Sequence, residues 1–158
     1  MVYKDCIVLA GEDLRPHWCS RFAVEDGRVA ALDLGKPAWR IDEGALVLMP
    51  AMVNAHTHVG DGFLPDGATG MTLEEGFFRP HGFKYRELAK LDRATHIDRI
   101  TQMLDYMART GTVAHFDFRE QGADGARRLR EASARTGVRS VILGQFDSVP
   151  FDKAMLAG

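Results

Sequence analysis

The stretch Leu46-Val47-Leu48-Met49-Pro50-Ala51-Met52-Val53-Asn54-Ala55-His56-Thr57-His58-Val59-Gly60-Asp61 decides how this chain is read. An apolar run leads into two histidines separated by one residue, and a loop marked by Gly and Asp follows. If Val53 to His58 is extended, side chains alternate between faces, so His56 and His58 point the same way. Two imidazoles on one face of one strand form half of a metal site, and imidazole suits zinc, iron or nickel. The histidines end an apolar strand, and α/β proteins place ligands at the carboxyl ends of strands.

Downstream, the pattern alternates. Asp92 to Thr110 reads as a helix: Ile97, Ile100, Leu104 and Met107 form one apolar stripe, and Gly111 stands where a C′ glycine belongs. Thr112 to Phe118 reads as a strand, Ala123 to Thr136 as a second helix, and Val138 to Phe146 as a further buried strand. Strand, helix, strand, helix, strand is the order of right-handed βαβ units and a parallel sheet. Pro150 and Met155 to Gly158 read as the start of the next element. Between the first strand and first helix, Gly60 to about Tyr85 is a long loop. It carries Pro65, Pro80 and the pair Phe77-Phe78, a composition that suits an ordered cover over a pocket.

Upstream, Tyr3 to Val47 reads as short strands and tight turns: Cys6-Leu9, Phe22-Val24, Val29-Leu32, Trp39-Ile41 and Leu46-Leu48. Asp26-Gly27 supplies a hairpin turn. This suggests a small sheet or half-sandwich. The organisation expected is residues 1–49 as N-terminal strands and 50–158 as the main α/β unit.

The bulk numbers narrow the function classes. With 158 residues, 46% hydrophobic and 27% charged, the chain is an ordinary globular sequence. A net charge of -2 gives no electrostatic reason to expect nucleic acid or an anionic membrane. No apolar run is long enough to span a bilayer, and no secretory signal is evident, so a cytoplasmic location is expected. Cys6 and Cys19 have no CxxC spacing, and a disulfide between them is not expected.

Other groups compete for a role. His115 and Asp117 share a strand face, and Arg119-Glu120 should reach the same end of the sheet as His58, where they would support a ligand or orient substrate. A solvated Arg-Glu pair is the plainer reading. Asp61 and Asp66 lie within reach of a metal or substrate, although aspartate is also a common loop residue. His81 and Lys84 belong to a basic aromatic cluster that could meet an anionic substrate group, although a solvated loop is the plainer reading, and His17 and His96 read as surface residues. There is no Gly-x-Gly-x-x-Gly after a strand, no P-loop and no Gly-x-Ser-x-Gly elbow.

These residues together resemble the N-terminus of the amidohydrolase superfamily. The resemblance rests on the Glu25-Asp26-Gly27-Arg28-Val29 hairpin, the Ile41-Asp42 segment, and Pro50-Ala51-Met52-Val53-Asn54-Ala55-His56-Thr57-His58. The family pattern is Pro-Gly-Phe-Val-Asn-x-His-x-His, so Ala51-Met52 replaces the usual Gly-Phe. Gly111 through Glu120 is similar to the second barrel strand. The resemblance implies a partial (β/α)8 barrel, its first three strands, preceded by a small N-terminal β-sandwich segment. It implies a metal-dependent hydrolase of a C–N bond, amidase or deaminase type, working through a metal-activated water. The metal is a divalent ion, zinc or alternatively iron, with His56 and His58 as ligands. Asp61, Arg119 and Glu120 are candidates for substrate binding, and the general-base aspartate is expected beyond Gly158. Gly60 stands where dihydroorotase- and hydantoinase-like members often carry arginine, which weighs against a dihydroorotase, and the long glycine-rich loop with its aromatics resembles the deaminase and chlorohydrolase-like branch or other archaeal and bacterial amidohydrolases. A barrel of this type takes about 250 residues, so catalysis is expected to need the missing C-terminal part. The partners expected are a small-molecule substrate and either a homo-oligomer or a second chain completing the barrel. The alternative is a non-catalytic split segment acting as a structural partner.

Overall fold

The computed structural model describes residues 1–145, and the chain divides into two compact units at Pro50 and Ala51. The expected residues Phe146, Pro150 and Met155 to Gly158 lie outside the described residues.

The first unit is one four-stranded sheet. Its strands are β1 (Val2–Ala10), β2 (Arg15–Glu25), β3 (Arg28–Pro37) and β4 (Val47–Leu48), in the order β3-β2-β1-β4. β1, β2 and β3 form an antiparallel meander, and β4 pairs parallel with β1. Glu25 pairs with Arg28 across Asp26-Gly27, whose φ values are both positive (48° and 72°). That is the backbone a two-residue hairpin requires, and glycine adopts it without a Cβ penalty. The strands are longer than the apolar runs that announced them, at 9 to 11 residues. A ladder continues through polar residues whose side chains face water, so hydrophobic runs underestimate strand length. Trp39-Ile41 forms no strand; Trp39 is 94% exposed. Cys6 faces Cys19 across β1 and β2 as buried free thiols, packed with Val8.

The second unit runs β5 (Met52–Thr57), a 3-10 turn (Val59–Phe63), α1 (Leu73–Phe77), α2 (Phe83–Leu88), α3 (Arg93–Arg109), β6 (Thr112–Arg119), α4 (Gly122–Ala134) and β7 (Arg139–Gly144). β5, β6 and β7 form a parallel sheet in that order. Asp92 caps α3 by accepting from the Thr95 amide at 3.0 Å, and Gly111 follows its end at φ +90°, a left-handed C′ position. The stripe Ile97, Ile100, Leu104 and Met107 is buried against Leu129 and Ala132 of α4, with Val59 and Val138 completing the core. Each fully buried Ile or Leu in it contributes about 1.5–3 kcal/mol.

The expected long loop holds two short helices. Thr72 and Glu75 bracket the start of α1 in a reciprocal capping box, with the Glu75 amide donating to Thr72 Oγ1 at 3.2 Å and the Thr72 amide to Glu75 Oε2 at 2.8 Å. The Thr-x-x-Glu spacing is the local signal for that start. No helix among the described residues is long and apolar enough to cross a membrane.

Candidate metal centre

β5 delivers His56, and His58 follows one residue past its end. Their Nε2 atoms lie 3.3 Å apart. Two imidazole nitrogens bound at ~2.0–2.1 Å to one tetrahedral zinc lie about 3.3–3.4 Å apart, so the observed separation fits a shared ion. Phe118 of β6 packs against both rings, with centroids 4.5 Å from His56 and 5.8 Å from His58. The aromatic floor restricts the rings' rotation, which favours a ligand pair over two freely turning side chains.

Thr57, between the histidines, points the other way. Its hydroxyl lies 2.7 Å from His115 Nδ1, 2.9 Å from the Phe116 carbonyl and 3.0 Å from Asp117 Oδ1. The Val59 amide donates to the same Asp117 oxygen at 2.7 Å. Asp117 therefore clamps the chain on both sides of His58. His115 continues the network through Nε2, 2.6 Å from Ser140 Oγ, and Ser140 donates to Ser133 at 3.1 Å. Burial lowers the His115 pKa despite nearby Asp117. Thus His115 and Asp117 share a face, as expected, but it is the face opposite Phe118, and they brace β5 from behind.

The solvated-pair reading of Arg119-Glu120 is corrected by the structure. Arg119 is 0% and Glu120 1% exposed, so neither presents a surface to substrate. One Glu120 oxygen, Oε1, accepts from Lys84 of α2 and lies 3.2 Å from His58 Nδ1; the other accepts from Arg119 Nη2. Lys84, read as part of a solvated loop, is also buried and pairs with Asp61 at 2.7 Å. Gly60 makes this packing possible, because a Cβ there would sit 1.6 Å from Arg119 Nη1. Burial raises the Asp61 pKa despite Lys84. Burial opposes charge on Lys84, but the hydrogen bonds it donates to Asp61 and Glu120 hold its pKa above the usual value. Burial alone would raise Glu120, and the opposing charges of Arg119 and Lys84 hold it below the ordinary carboxylate range.

Donor atoms of His58, Asp61 and Glu120 all lie within 4.8 Å of one another. However, the Lys84 ammonium already bonds both carboxylates, and a second cation among them would meet direct repulsion. The two imidazoles, in contrast, offer their Nε2 atoms to each other with no cationic side chain between them. Asp66 is exposed in a turn at φ +61°, His81 is exposed, and neither joins the cluster. Phe118 is a participant to which the sequence alone assigned no role, and Lys84 one that it left in a solvated loop. Strand alternation does place Phe118 on the face opposite Asp117, which is the signal that finds it.

His96, expected at the surface, is 0% exposed. Its Nε2 donates to the Gly60 carbonyl at 3.1 Å and its Nδ1 accepts from Arg128 Nη1, also at 3.1 Å. Burial, with Arg119 and Arg128 nearby, lowers its pKa to about 4 against the favourable Gly60 carbonyl and Glu120. The unfolded chain takes up this proton near pH 6.5 and the folded chain only near 4, so stability falls as pH drops through that window. The loss amounts to at most about 3 kcal/mol. Urea midpoints taken between about pH 7 and 5 should fall more steeply for the wild type than for His96→Gln; equal slopes would refute the assignment.

No family model matches the chain. It is 32% identical over 155 residues to a protein of Methanothermobacter thermautotrophicus named "Putative aminohydrolase", covering 97% of this chain and 40% of that one. A protein of Archaeoglobus fulgidus with the same name is 33% identical over 86 residues, 54% of this chain and 26% of its own length. Among solved structures, atrazine chlorohydrolase from Arthrobacter aurescens complexed with zinc superimposes with a TM-score of 0.59 at 12% identity, covering 98% of this chain and 37% of that one. Molinate hydrolase superimposes with a TM-score of 0.57 at 17% identity, covering 92% and 30%. The chain is similar in sequence to proteins named aminohydrolase, and its fold is shared with the matching part of these hydrolase structures. It spans 40% of the length of that Methanothermobacter relative.

Proposed function

We propose that this chain supplies the first two ligands, His56 and His58, of a divalent metal centre in a hydrolase that cleaves a C–N bond, amidase or deaminase in type. In this reading β5 to β7 are the first three strands of a (β/α)8 barrel, and the strands of the first unit belong to a small composite β-sandwich. The observation that carries it is the 3.3 Å separation of the two Nε2 atoms over the Phe118 ring. The names of the relatives and the zinc complex of one structural neighbour support the same class.

A bound divalent metal, zinc or iron, supplies Lewis-acid activation of a water nucleophile near neutral pH. The chain's own residues do the positioning. Asp117 fixes the backbone on either side of His58 through Thr57 and the Val59 amide. Phe118 holds the imidazole planes. Asp61, half-buried beside His58 and paired with Lys84, is the candidate carboxylate for a small-molecule substrate, and its raised pKa follows from burial.

Elemental analysis of the longer protein after exhaustive dialysis tests this directly. We expect about one equivalent of divalent metal or more in the wild type, and His56→Ala or His58→Ala should lose metal and turnover together. Full metal content in both variants would reject the ligand assignment.

A further inference from the structure

We propose that Glu120 is a positioning residue for the metal centre: buried between Lys84 and Arg119, it fixes His58 as the Nδ1–H tautomer and turns the Nε2 lone pair toward His56. The role deepens the metal-centre reading above, but its first part concerns this chain alone.

The argument begins with the hydrogen-bond inventory. A carboxylate can only accept, so the His58 nitrogen 3.2 Å from Glu120 Oε1 must carry the proton. In a neutral imidazole the other nitrogen then holds the lone pair. That nitrogen, Nε2, is the one 3.3 Å from His56 Nε2. In water a histidine exchanges freely between tautomers, so a fixed acceptor on Nδ1 is what selects the form with Nε2 free to bind.

Glu120 can perform this service because it is itself held. Arg119 donates to Oε2 and Lys84 to Oε1, and the carboxylate is 1% exposed, so its orientation is not averaged by solvent. The pair of cations also explains why Glu120 orients a ligand rather than serving as one. Both of its oxygens are committed, and Lys84 Nζ, 2.7 Å from Asp61 Oδ2, occupies the approach a metal would need. The cationic neighbours keep Glu120 an acceptor, and a permanent acceptor is what the tautomer requires.

Nitrogen-15 correlation spectra of the metal-free wild-type protein, with the His58 signals assigned by their loss in His58→Asn, read the tautomer. At about pH 8.5, about two units above the ordinary histidine value, His58 should show a protonated Nδ1 and an unprotonated Nε2. In Glu120→Gln the preference should weaken toward the usual mixture, and zinc affinity measured against a chromophoric chelator should fall about 10–100-fold. A merely structural Glu120 would leave the tautomer of the folded variant unchanged, and that result overturns the proposal. Should Glu120→Gln fail to fold, the wild-type spectrum still decides: a protonated Nε2 on His58 overturns it. A wild type with the expected tautomer that binds no zinc would sink the metal reading while leaving the Glu120–His58 pairing in place.

Discussion

Gly125→Ala is expected to destabilise the protein by about 3 kcal/mol, although glycine-to-alanine changes inside helices ordinarily stabilise by about 1 kcal/mol. The reversed sign is the diagnostic. Gly125 lies in the first turn of α4, and a Cβ there would sit 1.8 Å from the carbonyl oxygen of Glu120 and 2.9 Å from its carbon. The obstacle is backbone, so no side chain can rotate away. Nor can the connection easily open: Gln121 and Gly122 make the turn from β6 into α4 at φ +66° and +52°, and the Gly125 amide is bonded to the Gln121 carbonyl at 3.0 Å. Left-handed backbone at a non-glycine residue is itself costly and has little slack. The substitution must therefore displace Glu120. We expect the thermal midpoint to drop by about 6–12 °C, and zinc affinity to fall with it in whatever protein remains folded. Gly137→Ala is the control, because a Cβ there meets nothing within 4 Å, and it should stay within about 0.5 kcal/mol of wild type. A Gly125→Ala protein as stable as that control would show that the junction relaxes freely.

The same junction marks the boundary of what could be read from sequence. α3 and α4 announced themselves because their buried residues recur with the helical period; Ile97, Ile100, Leu104 and Met107 are all buried as a stripe. β6 was legible from its β-branched and aromatic content, and the His-x-His pair from strand alternation. What periodicity cannot convey is which charged residues go inside. Arg119, Glu120 and Lys84 look like solvated loop residues because in most chains such residues are. They are buried here because they neutralise one another across 36 residues of sequence, and because Gly60 removes the one methyl group that would exclude the guanidinium. His96 follows the same logic, since its burial depends on Gly60 and Arg128, which only the fold brings together. Pairings between distant residues leave no trace in a local pattern. The short helices α1 and α2 are a different case. The Thr72–Glu75 capping box was present in the sequence, but five or six residues are too few to show a period.

That dependence of Arg119 on Gly60 can be measured by a double-mutant cycle. Arg119→Ala removes a fully buried cation and leaves Glu120 and Asp117 without it, a change of the kind that costs about 3–5 kcal/mol. Lys84 still faces Glu120, so the lower end, about 3 kcal/mol, is expected. Gly60→Ala alone drives its Cβ into Nη1 at 1.6 Å and the guanidinium carbon at 2.1 Å. Arginine side chains usually evade such a clash, but this one is 0% exposed and its Nη2 is committed to Glu120. Overpacking of this sort costs about 2–3 kcal/mol. In the double variant the methyl group occupies space that the guanidinium has vacated, so the second penalty largely disappears. Denaturant unfolding should therefore show a double variant about 2 kcal/mol more stable than the sum of the singles predicts, well outside the ~0.5 kcal/mol expected of independent sites. Additive losses would mean that Gly60 is needed for some reason other than Arg119, and the ion cluster would then have to be assembled without its help. A positive coupling ties one small residue two positions after the His-x-His motif to the buried arginine that holds Glu120, and through Glu120 to the nitrogen His58 offers a metal.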